Sequence, residues 1–194
     1  MPTDVVRPAG SRADLSDPIL YLLLFSVLAA PAALGAVDAW VWSAQVLVAG
    51  IALATWAAHV ALGHPPAVAL RRLALPALLF AAALAWAAVQ ASGWSPAAWH
   101  HPLWPMAAET LGTKSIGAVS LAPADTGDAI LRLCGYAAVF YLAVNLCRNR
   151  RRGRLALEAV AVMVTLYAAY GIAAHLSGTE RILWMAKTSY HGDL

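Results

Sequence analysis

Few residues of this 194-residue chain could do chemistry. Arg132 is the most informative. It stands about one turn inside an apolar run, where a guanidinium is costly and marks a functional candidate. Its planar fork suits phosphate recognition. Asp128 precedes it by four residues, the favourable acid-before-base spacing on a helix. A long side chain at that depth can also snorkel to the interface. Arg132 therefore fits either a substrate-binding role or a structural one. Glu158 follows Arg154 by four residues and is expected to pair with it.

The other candidates are weaker. Cys134 and Cys147 fall on one expected helix, thirteen residues apart. At ~1.5 Å per residue that is ~20 Å, too far for a disulfide. Both read as small apolar residues. Among the six histidines, His59 and His175 fall in apolar runs, which raises haem ligation. Their places near opposite ends of their runs put them in opposite leaflets, too far apart for one iron. His100 and His101 are adjacent and project differently. No Cys or His spacing matches a zinc site. The basic stretch Arg148–Arg154 could bind anionic headgroups, and topology-setting charge explains it as well. The chain has no P-loop, Gly-rich dinucleotide motif or nucleophile motif, and no internal repeat stands out. These residues point to no catalytic residue, no metal and no cofactor.

The elements that must position these residues are set by composition. The chain is 61% hydrophobic and 12% charged, against ~45–50% and ~25% for soluble domains. Its mean hydropathy is +0.67. This excludes disorder, a nucleic-acid partner and a small disulfide scaffold. It argues against a soluble enzyme, because long charge-free runs need lipid. Five runs are long enough to span: Ile19–Val37, Ala39–Leu62, Leu73–Ala91, Asp128–Cys147 and Leu155–Leu176. Backbone groups must pair inside lipid, and continuous Ala/Leu-rich runs suit helices and not alternating barrel strands. The expected fold is all-α, a multi-pass transmembrane bundle of about five spans with the lipid bilayer as partner.

Local punctuation agrees. Asp17 and Pro18 are expected as N-cap and N1 of the first span. Pro31 predicts a kink there. Pro65 and Pro66 break the chain after the second span. Asp125 or Thr126 is expected to cap the fourth, and Gly153 to separate the fourth from the fifth. Close helix approach is possible at small-residue pairs such as Ala54/Ala58, Ala81/Ala85 and Ala169/Ala173, although they are weak markers in so Ala-rich a chain.

Charge gives the orientation. With the N-terminus inside, nine basic residues (Arg7, Arg12, Arg71, Arg72, Arg148, Arg150, Arg151, Arg152, Arg154) face the cytoplasm and four face out. The expected plan is N-in and C-out: a cytoplasmic tail at 1–18, three spans within 19–91, a periplasmic loop at 92–127, two spans within 128–176 joined by the Arg-rich turn, and a periplasmic tail at 177–194. A signal peptide over 1–37, with a small-residue site near Ala33–Ala36, is the rival reading of the first span. Asp4, Asp14 and Asp17 in its n-region argue against it. The long loop carries Trp94, Trp99 and Trp104, which read as interface anchors of a surface-lying or re-entrant piece.

From Ser115 onward the chain resembles the bacterial O-antigen ligase and polymerase superfamily. The resembling residues are Ser120-Leu-Ala-Pro123, Thr126, Leu131-Arg-Leu133 with Tyr136, and Cys147-Arg-Asn-Arg-Arg-Arg152. Ala169-Tyr170-Gly171, Trp184 and Lys187-Thr-Ser-Tyr-His-Gly192 complete the set. The resemblance implies transfer or polymerisation of undecaprenyl-pyrophosphate-linked glycan at the periplasmic face of the inner membrane, in lipopolysaccharide biosynthesis. A lipid A core is the acceptor of the family's ligases. Such a reaction needs a base for the acceptor hydroxyl and cations for the departing pyrophosphate. Family members continue into further helices and a large loop that holds their essential positions. No catalytic residue is therefore carried over. The expectation is an N-terminal portion, inactive alone, with Arg132 as its candidate substrate-binding residue. The alternative is a complete non-enzymatic five-span accessory subunit of a transporter or polysaccharide export assembly.

Overall fold

The computed structural model describes residues 15–32, 38–112 and 117–178, with the backbone of Arg181–Ile182 and Met185–Ala186. Arg7, Arg12, the Ala33–Ala36 stretch, Lys114, Trp184 and Lys187–Gly192 lie outside the described residues. The described helices are α1 (Ser16–Ala29), α2 (Ala39–Ala61), α3 (Ala74–Ala91), α4 (Leu103–Leu111), α5 (Pro123–Leu146) and α6 (Arg150–Leu176). Short 3₁₀ turns extend α1 (Ala30–Ala32), lead into α3 (Leu70–Leu73) and precede α4 (Ala97–Trp99). Arg181–Ile182 and Met185–Ala186 form a two-residue antiparallel pair.

Four helices are long and apolar enough to cross a membrane: α2, α3 with its leading turn, α5 and α6. The first of the five expected runs gives a shorter apolar helix, Ser16–Ala32. No residue of α3 or α6 is buried. Leu75, Leu78, Leu79, Leu157 and Leu176 are each at least 63% exposed. Helices that are apolar yet uncovered on most sides have lipid as their solvent.

The bundle is organised around α5, which packs against α2, α3 and α1, while α6 leans on α1. Its buried residues, Gly135, Ala138, Leu142, Asn145 and Leu146, recur every three to four positions and form one stripe. The facing stripe of α2 is Val41, Trp42, Ala49, Ala52, Trp56 and His59. Where the stripes cross, Gly135 lets the backbones approach. A Cβ there would come 2.9 Å from Val46 Cγ2 and 3.6 Å from Val46 Cα. The seam is thus made by Ala49, Ala52, Gly135 and Ala138. The pairs Ala54/Ala58, Ala81/Ala85 and Ala169/Ala173 all lie on exposed faces.

Polar side chains fasten the bundle where the backbone leaves orphans. Asn145 Oδ1 accepts the Val68 N–H at 2.9 Å, and its Nδ2 donates to the Tyr141 carbonyl at 3.0 Å. The α2–α3 turn is thereby tied to the end of α5. Pro31 does not kink a continuing helix; the chain tightens into the Ala30–Ala32 turn instead. In that geometry the Leu28 carbonyl would look three residues on, to Pro31, which has no N–H. The Tyr167 hydroxyl of α6 donates to it at 2.7 Å.

Several expected caps are corrected by longer-range partners. Asp17 is not the N-cap of α1. It lies in the first turn, and its carboxylate pairs with Arg151 and, at 2.6 Å, with Arg152. These hydrogen bonds, that of Arg152 foremost, hold the Asp17 carboxyl below its ordinary value. Gly153 lies inside α6, and the cap of α6 is Asn149, which accepts from the Arg151 N–H at 2.9 Å. Neither Asp125 nor Thr126 caps α5, which begins at Pro123. The Thr126 hydroxyl donates back to the Ala122 carbonyl at 3.1 Å. Ser120 therefore donates to Thr126 Oγ1 at 2.9 Å, and its Oγ accepts from Ala122 N–H. Arg154 and Glu158 pair at 2.7 Å, as their spacing predicts.

The α2–α5 seam yields a test. Gly135→Ala should lower thermal stability in detergent by about 1–3 kcal/mol, because the new methyl overpacks the crossing. Val46→Ala on the same background should recover most of the loss. Additive losses in the double variant would refute the close approach.

Candidate functional site

Arg132 stands nine residues into α5, or ~13 Å along the axis. The helix starts earlier than the apolar run suggests, so Arg132 lies in its third turn. No ion pair joins it to Asp128 among the described residues. The i, i+4 pairing expected from the sequence therefore does not form. The guanidinium instead lies over the Trp42 ring, 4.5 Å from its centroid. The negative face of the indole takes the place of the carboxylate.

Arg132 and Trp42 form part of the wall of a cavity of about 420 Å³ between α1, α2 and α5. Most of the wall is apolar, from Val27, Val46, Val139 and Phe140, with Ser26 and Gln45 as further polar side chains. This is the size and character of a small-ligand pocket. Two nitrogens at the site are buried without a hydrogen-bond partner, Arg132 Nε and Trp42 Nε1. Both can only donate. Neither can satisfy the other, and an orphaned buried donor costs free energy. An acceptor-only anionic group is the chemistry that would complete the pair.

Residues of the resemblance also hold the neighbouring loop. Ser120 N–H donates to the Gln90 carbonyl at 2.9 Å, and the Ser120 carbonyl accepts from Trp104 Nε1 at 3.2 Å. With its hydroxyl contacts, Ser120 thus links the end of α3, helix α4 and the start of α5. His101 N–H donates to the Ala118 carbonyl at 3.0 Å, and His100 Nε2 bonds the Ser95 carbonyl at 2.9 Å. Trp104 is therefore partly a tether and not solely an interface anchor. Trp94 remains 93% exposed. Cys134 and Cys147 are both free thiols.

Sequence reasoning singled out Arg132 and missed Trp42, Gln45 and Asn145. A signal existed for the two amides, since a polar side chain inside an apolar run is exceptional. Trp42 carried none, because a Trp near a span end reads equally well as an interface anchor.

The lost pairing predicts contrasting substitutions. Asp128→Asn should change thermal stability by less than about 0.5 kcal/mol, as for a residue with no partner. Trp42→Leu should cost at least the ~0.5–2 kcal/mol of the cation–π contact. A larger loss for Asp128→Asn than for Trp42→Leu would restore the carboxylate as the partner of Arg132.

Compared with family models, curated proteins and solved structures, the chain matches none.

Proposed function

We propose that this chain binds the pyrophosphate of an undecaprenyl-pyrophosphate-linked glycan at Arg132, as the membrane part of an O-antigen ligase-like glycan transferase. The observation that carries the reading is the pair of buried, unsatisfied donors on Arg132 and Trp42 beside a mostly apolar cavity. A lipid pyrophosphate offers acceptors to the donors and an isoprenoid tail to the apolar wall. The planar guanidinium can engage two phosphate oxygens at once. Ser120, Thr126 and Tyr136, which belong to the same resemblance, lie close by in the chain.

The reading includes a topology of five spans, N-in and C-out. The start of α1, the α2–α3 turn and the α5–α6 turn meet at one end, through Asp17–Arg152 and Val68–Asn145. Arg71, Arg72 and the Arg148–Arg154 run belong to that end, which makes it the cytoplasmic one by the charge rule. On this topology Arg132 lies toward the periplasm.

A second reading, an accessory subunit of a transporter or polysaccharide export assembly, draws on a different observation. Neither α3 nor α6 buries any residue, which leaves wide apolar faces for partner helices.

Two experiments test the proposal. Alkaline phosphatase fused after Gly112 or Leu194 should be active, and fused after Arg72 or Arg152 inactive. Activity at Arg152 would overturn the orientation. The purified chain in nanodiscs should retain undecaprenyl pyrophosphate at least ~10-fold better than undecaprenol in native mass spectrometry, a difference of ~1.4 kcal/mol. Arg132→Lys, at matched thermal stability, should abolish that preference, since a point charge cannot reproduce the fork. Equal retention of the two lipids by the unmodified chain would sink the proposal and leave the accessory reading.

A further inference from the structure

The basic end of the bundle holds a second cavity, of about 430 Å³. Trp56 and His59 of α2 meet His64 of the following turn there, with Arg148 and Arg152 from the α5–α6 turn. Trp56 is 6% exposed, and its indole N–H is buried without a partner. His59 and His64 stack in near-parallel planes, with centroids 4.0 Å apart. His64 Nδ1 donates to the His59 carbonyl at 3.3 Å, which fixes that ring over the cavity wall. Among the described residues, the guanidiniums of Arg148, Arg151 and Arg152 gather here around the carboxylate of Asp17, which Arg151 and Arg152 engage. Arg148 is exposed at the cavity and makes no ion pair among the described residues. Among the described residues, no Asp or Glu lines the cavity.

We infer that this cavity is a phosphate site, in which Trp56 Nε1 and Arg148 hold the phosphate oxygens of an anionic phospholipid headgroup or of a free phosphate. Indole N–H and guanidinium groups can only donate, so the ligand must supply acceptors. The excess of positive charge selects an anion. The buried N–H of Trp56 gives the site a feature that a merely basic turn lacks. General attraction of Arg-rich turns to anionic lipid is diffuse and is screened by salt. A hydrogen bond from a buried donor is screened far less. This site lies at the opposite end of the bundle from Arg132 and does not rest on the glycan reading.

The test uses the full chain in nanodiscs and in detergent at 0.5 M salt, with native mass spectrometry. In salt, the chain should retain phosphatidylglycerol in preference to phosphatidylcholine. Trp56→Phe keeps the ring, removes the N–H and should weaken retention about tenfold, the loss of one hydrogen bond to a charged group. Arg148→Gln should weaken it similarly. Thermal stability of each variant controls for folding. Inorganic phosphate added at millimolar concentration separates the two sources. If it binds the detergent-solubilised chain and displaces the lipid, the site takes free phosphate; if the lipid stays, the site takes the headgroup. Retention by Trp56→Phe equal to that of the unmodified chain would overturn the inference, as would binding of neither probe in salt.

Discussion

The structure depends on how closely α5 can approach α2. In lipid, apolar side chains gain little from leaving their solvent, so helix association rests on close van der Waals contact and a few interhelical hydrogen bonds. Gly135 supplies the contact, because any side chain there would meet Val46. Ala49, Ala52 and Ala138 continue the seam at spacings that keep them on facing stripes. With α5 seated on α2, its other sides take α3 and α1, and α6 is left to lean on α1. The geometry of both cavities follows from this crossing. One opens above it beside Arg132, and the other lies below it under the Arg-rich turn.

Backbone accounting explains most of the remaining polar contacts. Every carbonyl or N–H that a helix cannot satisfy must find a partner inside the protein or at the interface. The Leu28 carbonyl, stranded by Pro31, takes the Tyr167 hydroxyl from a helix that otherwise touches little. The Val68 N–H, in a turn broken by two prolines, takes the amide of Asn145. At the opposite end the Ser120 carbonyl takes the indole of Trp104. Each bond joins separate elements, the first two far apart in sequence, and fixes a turn that hydrophobic packing would leave loose.

The unsatisfied groups run the other way. Trp42, Trp56 and Arg132 each hold a buried nitrogen without a partner, and all three are donors. Two lie at one cavity and the third at the other. The stranded carbonyls are satisfied across helices, whereas these donors are left unmet beside cavities, and both phosphate proposals rest on that contrast.

The sequence by itself determined what depends only on neighbours along the chain. Hydropathy marked the apolar runs, and the separation of Arg154 and Glu158 specified their pairing. Helical rise kept Cys134 from Cys147 on one helix. These follow from 1.5 Å per residue and 3.6 residues per turn, whatever surrounds the helix. The tertiary structure decided which face of each helix points inward. When a helix is apolar all round, no stripe in the sequence sets its rotation, so Ala54/Ala58 looked as good a seam as Ala49/Ala52. The same rotation gave Arg132 an indole in place of Asp128, and gave Asp17 two distant arginines in place of its own helix end. In each case a local partner was within reach, and a cross-helix partner won because packing had already brought it into place.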